Sequence, residues 1–274
     1  MTDIPRIELN DGTSIPTLGF GVFKVPAEEA TRTVGEALRL GYRSIDTAWG
    51  YFNEEGVGAA IRDSGLDRDE IHVTTKVWNS YQGREKARES FETSMANLGL
   101  ERLDLLLIHW PAPENDLYVE TWETFVELRD SGRVTSIGVS NFEPEHLGRV
   151  IEATGVVPAL NQVELHPYLQ QRQLRDFHDL HGIATEAWGP IARGKVVDDP
   201  VLNEIGTAHG RSAVQVTLRW EIQHRIVTIP KSDHVERIAA NLDVFDFELT
   251  DDEMAAIDGL DRNGRTGPHP TEMN

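Results

Sequence analysis

The chain has 274 residues, 46 acidic against 26 basic side chains for a formal charge of −20, and no cysteine. Such a charge repels phosphate backbones and anionic headgroups, so sequence-independent nucleic-acid binding and membrane-surface binding are excluded as expectations. The missing thiols remove disulfides, cysteine nucleophiles and cysteine-ligated metal centres, while 39% hydrophobic and 26% charged residues describe a folded, soluble chain. The opening run MTDIPRIELNDG carries Asp3 and Glu8 with no apolar stretch behind a basic start, and no segment offers the ~18 apolar residues of a membrane span. A cytoplasmic protein is expected.

In chain order, RIELNDGTSIPTLGFG comes first, with an Asn10-Asp11-Gly12 turn between alternating runs, and reads as a β-hairpin. Apolar runs at 17–21, 44–46, 72–76, 103–109, 135–140, 159–163, 183–186 and 225–229 then read as eight strands. Between them lie helical segments. Residues 27–40 place Ala30, Val34, Ala37 and Leu38 on one face before Gly41. Residues 84–98 stack Ala87, Phe91, Met95 and Leu98, and 118–130 stack Val119, Trp122 and Val126. The strands recur at roughly the spacing of a βα repeat, with a longer gap before the eighth that must hold an extra helix at 199–209 ahead of 212–223. Another helix is read at 250–260, followed by a loose tail, GLDRNGRTGPHPTEMN. No linker composition divides the chain, so the expectation is one α/β domain over 1–274, a (β/α)8 TIM barrel with an N-terminal hairpin lidding its bottom and extra helices.

Barrels of this kind build their sites at the carboxyl ends of the strands. There the sequence offers Asp46, Lys76, His109, Ser140-Asn141, Gln162, Trp188 and Lys231-Ser232 in successive repeats. A lone aspartate or histidine at such a position is more often a cap or a satisfied core group. Lys76 differs: a lysine closing the buried run HVTTK needs a partner or loses its proton. Tyr51, in the loop after Asp46, is by itself ordinary packing. Together, Tyr51, Lys76, Asp46 and His109 suit a site that polarises a carbonyl and protonates its oxygen, with the lysine lowering the tyrosine pKa and the aspartate holding the lysine charged. No zinc-protease, Walker or G-x-G-x-x-G spacing is present, so a nicotinamide cofactor would have to bind outside the Rossmann manner. The run IVTIPKSDHVERIAAN supplies Lys231, Ser232 and Arg237 for a 2′-phosphate; against this, Asp233 and Glu236 have capping-box spacing and 231–237 sums to zero charge. A Schiff-base lyase centred on Lys76 and a non-catalytic NADPH-binding subunit are the two other classes considered, both disfavoured by the intact set of four.

The run GYRSIDTAWGYFNEEGVGAAI, with KVW, LLLIHWP and IPKSDHVERIAAN following in order, resembles the aldo-keto reductases, and within them is most similar to the prokaryotic 2,5-diketo-D-gluconate reductase type, including the ending GRTGPHP. The resemblance runs from the hairpin to about Asn241. It implies NADPH-dependent reduction of aldehydes and ketones by a monomer acting on a small carbonyl substrate. It implies Tyr51 as general acid, Lys76 and Asp46 tuning it, and His109 orienting the carbonyl. Ser140, Asn141 and Gln162 would hold the nicotinamide carboxamide, and Trp188 would stack on its ring. Gly189 and Pro190 would continue under the pyrophosphate, Lys231, Ser232 and Arg237 would clamp the 2′-phosphate, and Asn241 would meet the adenine. Gly21, Val22 and Asp46 are further cofactor-side candidates. Ala240 departs from the family, which often has glutamate there. Val22, Phe23, Trp49, Trp78, His109, Trp110 and Asn141 are expected to wall the substrate pocket, which the short C-terminus is expected to leave open and shallow.

Overall fold

A computed structural model describes residues 4–274; Asp3 lies outside them. A hairpin of β1 (Arg6–Glu8) and β2 (Ser14–Pro16) leads into eight parallel strands. These are β3 (Phe20–Gly21), β4 (Ser44–Asp46), β5 (His72–Val77), β6 (Leu103–Ile108), β7 (Val134–Ser140), β8 (Leu160–Glu164), β9 (Ala184–Trp188) and β10 (Val227–Thr228), each paired with the next in sequence. The first and last strands meet at a parallel bridge between Leu18 and Thr228, where Gly19 N–H donates to Thr228 O at 2.9 Å. That seam closes the barrel. It is also why the runs expected at 17–21 and 225–229 shrink to two-residue strands: the chain there supplies isolated closing bonds instead of a ladder.

Helices α1 (Ala27–Leu40), α2 (Glu54–Asp63), α3 (Arg84–Leu98), α4 (Tyr118–Asp130), α5 (Pro144–Thr154) and α6 (Arg172–His181) follow β3 to β8 in turn. Two helices, α7 (Pro200–His209) and α8 (Ala213–Gln223), follow β9, then α9 (Val235–Leu242) follows β10 and α10 (Asp251–Asp258) closes the count. Local chemistry sets their ends. The Asp199 carboxylate accepts from Val201 N and Leu202 N to start α7, and Ser212 and Thr250 form reciprocal capping boxes with Gln215 and Glu253. Gly41, in the left-handed region, returns its N–H to Ala37 O and Leu38 O to end α1.

The expected apolar faces of α1 and α3 are buried. On α4 the face is rotated: Tyr118, Thr121, Trp122, Phe125 and Leu128 are buried while Val119 and Val126 flank them. The larger aromatic stripe wins because it removes more apolar area from water. At the bottom of the barrel, Leu9 and Ile15 of the hairpin join Leu105, Leu107, Leu160 and Val227 in a separate cluster, and Asn10 Nδ2 donates to Pro158 O. The hairpin therefore plugs the amino-terminal end and leaves the other end for loops. Among the described residues no helix is long and apolar enough to cross a membrane.

Candidate active site

Parallel register sets the site. Asp46 pairs with Thr74 on β5, two residues before Lys76, and Lys76 pairs with Leu107 on β6, two residues before His109. The alternation of a strand then turns Asp46 and Lys76 to the same side. The Lys76 ammonium donates to Asp46 Oδ1 at 2.6 Å, Asp46 Oδ2 at 2.8 Å, Thr47 O at 2.9 Å and the Tyr51 hydroxyl at 3.5 Å. Its side chain is 0% exposed. Burial alone pushes the lysine toward its neutral form, but Asp46 and Tyr51 outweigh that, and its pKa stands above the ordinary value. The Schiff-base alternative needs the opposite.

Tyr51 lies on a short 3-10 turn (Trp49–Tyr51) with its ring 5.6 Å from the His109 imidazole. Here one expectation is corrected. Lys76 does pull the tyrosine pKa down, but burial is the larger effect and the phenol is pushed up to about 12. The resting tyrosine is therefore a fully loaded acid. His109 is held well below its usual value by burial and then by Lys76, so it is a neutral imidazole, a hydrogen-bond donor without charge.

The walls are aromatic. The Phe23 ring is 5.0 Å from Tyr51 and Trp78 is 4.9 Å from His109, edge-on. Trp49 packs 4.4 Å from Tyr81 and 5.6 Å from Phe52, and Trp110 meets Trp188 at 6.4 Å. Phe23 is 53% and Phe52 73% exposed, which leaves the rim on that side open to solvent. Tyr81 and Phe52 are not apparent from strand-end spacing, since each closes a short 3-10 turn beyond its strand and enters only through contact with Trp49.

The family model for the aldo/keto reductase family matches residues 17–262. The chain is 53% identical over 270 residues to an aldo-keto reductase of Mycolicibacterium smegmatis, with 98% of each chain covered. It is 47% identical over 268 residues to the glyoxal reductase of Bacillus subtilis, covering 97% of this chain and 96% of that one. A solved mutant of the protein Gox0644 in complex with NADPH superposes with a TM-score of 0.95 at 48% identity over 98% of each chain. The chain belongs to the aldo/keto reductase family.

In this aldo/keto reductase the residues read as cofactor contacts fall into three groups. The first is structural in its visible contacts. Val22 N donates to Asp46 O, Val22 O accepts from Asn53 Nδ2, and Val22 is fully buried. Gly21 lies so close to β10 that an added Cβ would stand 2.9 Å from Ile229 O.

The second group is interlocked. Asn141 spends its amide on His109 O at 2.9 Å and Ser140 Oγ at 3.0 Å, and its Oδ1 accepts from Trp188 Nε1 at 2.7 Å. Ser140 Oγ donates to Gln162 O, and Gln162 Nε2 bridges Asp46 Oδ2 and Glu186 Oε2, each at 2.8 Å. What Ser140 and Asn141 have left for a ligand is acceptor capacity, a second lone pair on each side-chain oxygen, since their donors are all engaged.

The third group holds two cations, half-buried Lys231 and exposed Arg237, with Ser232 and Asn241 buried beside them. Lys231 Nζ is 3.2 Å from Asp233, and Ser232 Oγ accepts from His234 N. The alternative capping box does not form: α9 starts after His234 with no side-chain cap. Arg237 is exposed with no ion pair recorded among the described residues, and Asn241 lies one turn on. Between these groups Gly189 takes a left-handed φ of 62° with nothing within 4 Å of where a Cβ would stand, and Pro190 follows it buried. A ring face at Trp188, open backbone at Gly189 and cations at Lys231 and Arg237 fit a dinucleotide phosphate laid across the strand ends.

Two site residues escape strand-end reading. Glu186, 1% exposed, is pushed up to about 8 by burial and then by Asp46, so a neutral acid backs Gln162. The other is Glu164 at the end of β8. The tail expected to be loose is docked on it: Thr266 N and Oγ1 each donate to Glu164 Oε1 at 2.5 Å and Gly267 N to Oε2 at 3.0 Å. Earlier in the tail Gly264 N donates to Tyr168 O, and at its end Asn274 Oδ1 accepts from Glu114 N.

Proposed function

We propose that this aldo/keto reductase reduces small aldehydes, α-keto aldehydes, dicarbonyls or keto-sugar acids, in the manner of the 2,5-diketo-D-gluconate reductase type, as a cytoplasmic monomer acting through one domain spanning 1–274. The enzyme is an NADP-dependent oxidoreductase, and NADPH supplies the hydride that adds to the carbonyl carbon. The observation that carries the assignment of roles is the Lys76 ammonium bonded to both oxygens of Asp46 and within 3.5 Å of the Tyr51 hydroxyl. The phenol gives its proton to the substrate oxygen as charge gathers there, and the neighbouring ammonium stabilises the phenolate left behind. Neutral His109 donates a hydrogen bond to the same oxygen and orients it.

Trp188 would stack on the nicotinamide ring, and Ser140, Asn141 and Gln162 would hold its carboxamide. Lys231, Ser232 and Arg237 hold the 2′-phosphate, and Asn241 the adenine. Phe23, Trp49, Trp78 and Trp110 wall the substrate. The similarity to a glyoxal reductase supports compact substrates with adjacent carbonyls, and the exposed Phe23 and Phe52 support a pocket that discriminates weakly. NADPH oxidation followed at 340 nm across glyoxal, methylglyoxal, a keto-sugar acid and a bulky polycyclic ketone tests this. Broad turnover of the small compounds with KM toward the weak end of the usual range (~1 mM) is expected. A single substrate with a sub-micromolar KM contradicts it.

A further inference from the structure

Glu164 has no place in the proton-transfer set, yet its carboxylate is 0% exposed and fully engaged. It accepts from Thr266 N, Thr266 Oγ1 and Gly267 N, lies 3.2 Å from His166 Nε2, and has the Arg265 guanidinium 3.7 Å away. All but His166 come from the tail, roughly a hundred residues along the chain. Gly267 delivers the consequence. An added Cβ there would stand 2.5 Å from Trp188 Cη2 and 3.2 Å from Cζ3, so the tail backbone lies directly on the edge of the indole. The opposite edge of the same indole donates from Nε1 to Asn141 Oδ1, and Asn141 holds the carbonyl of His109. A continuous path of contacts therefore runs from Glu164 through the tail to Trp188 and on to the strand end that carries His109.

We propose that Glu164 is a positioning residue: it clamps Arg265–Gly267 against Trp188 and so sets the tilt of the ring that receives the nicotinamide. The proposal rests on the placement of Trp188 beside that ring. A carboxylate suits the task because every tail group offered to it is a donor and acceptor lone pairs are available on both oxygens. An amide at the same place would turn one NH2 against an N–H or O–H donor. Burial works against ionisation, but the hydrogen bonds from His166 and the tail overcome it and hold the carboxyl at about 2, so the clamp stays ionised throughout the working range.

Two variants test the clamp from opposite ends. E164Q keeps volume but breaks donor–acceptor matching; G267A keeps the Glu164 carboxylate and presses a methyl chiefly on the indole, 2.5 Å from Cη2 against 3.2 Å from Glu164 Oε2. Amide exchange of unliganded protein and NADPH titration are the readouts. For E164Q, Thr266 and Gly267 amides should exchange at least about tenfold faster, and the NADPH Kd should rise about five- to tenfold, with E164D recovering part of both. For G267A, the NADPH Kd should rise similarly while the Thr266 amide stays protected. Wild-type exchange in E164Q overturns the proposal, as does an NADPH Kd within twofold of wild type in both variants. Failure of the unmodified protein to bind NADPH would remove the cofactor reading beneath it, and the clamp with it.

Discussion

At the residue scale the tetrad is a division of electrostatic labour. Lys76 keeps its charge in a buried place because Asp46 lies within 2.8 Å through both oxygens. Removing one partner strands the other: Lys76→Met leaves a buried carboxylate, and kcat should fall by roughly 10³-fold, within the range of lost oxyanion-type stabilisation, while soluble expression of Asp46→Asn should drop. Steady-state assays and yield check both. Glu186→Gln, by contrast, exchanges one neutral hydrogen-bonding group for another. It should retain most activity at pH 7 and become less sensitive than wild type above pH 8, where Glu186 ionises beside Asp46; pH–rate profiles of the two proteins decide this. Asp46, Lys76 and His109 were legible in the sequence because each ends or follows a buried apolar run where a polar group needs a reason. Glu186 lies inside β9 and Glu164 ends β8, and both look like ordinary strand residues, since what makes them matter is Gln162 in one case and the distant Thr266 in the other.

At the element scale the strands and helices follow from periodicity and caps, and their failures have local causes. On α4 the expected Trp122 is buried, but it shares the buried stripe with Tyr118, Phe125 and Leu128, and the two valines only flank it. The tail has no periodicity from which order could be predicted; its order comes from hydrogen bonds to Tyr168 and Glu164. The seam between β3 and β10 is the element on which the site depends most, since it carries few ladder bonds and places Gly21 against Ile229 O. Gly21→Ala forces backbone atoms apart there. It should cost about 1–3 kcal/mol in urea unfolding, the range for overpacking, and lower activity as well, because Gly21 pairs with Asp46 across β3 and β4. The phosphate end is more independent: Arg237→Ala on α9 should weaken NADPH binding about tenfold without changing the urea midpoint, since Arg237 is exposed.

For the whole molecule, charge and burial together shape the pH dependence of stability. His72 is pushed down to about 4 and His178 to about 3 by burial, and His109 also lies well below its usual value. The unfolded chain binds these three protons below about pH 6.5 and the folded protein does not, so stability falls as pH drops from there toward 4. Glu186 and Glu221 are raised by burial, Glu186 to about 8, so the folded protein keeps protons the unfolded chain has lost above about pH 4.5. Across 4.5–6.5 the histidines outnumber the acids; from 6.5 to 8 only the acids act, and stability falls again. Urea midpoints between pH 5 and 9 should therefore peak near 6.5, and a steady rise to pH 9 would contradict this balance. The charge of −20 leaves only five lysines, two of which, Lys76 and Lys231, stand at the catalytic end of the barrel. The account turns on the first of them serving Tyr51. Its most direct test is the single-turnover rate of NADPH oxidation by methylglyoxal at 340 nm in Tyr51→Phe, with NADPH affinity measured alongside. The prediction is a loss of about 10³-fold or more in rate with NADPH affinity within about twofold of wild type. A variant that binds NADPH normally and keeps a tenth or more of the wild-type rate would show that Tyr51 is not the proton donor.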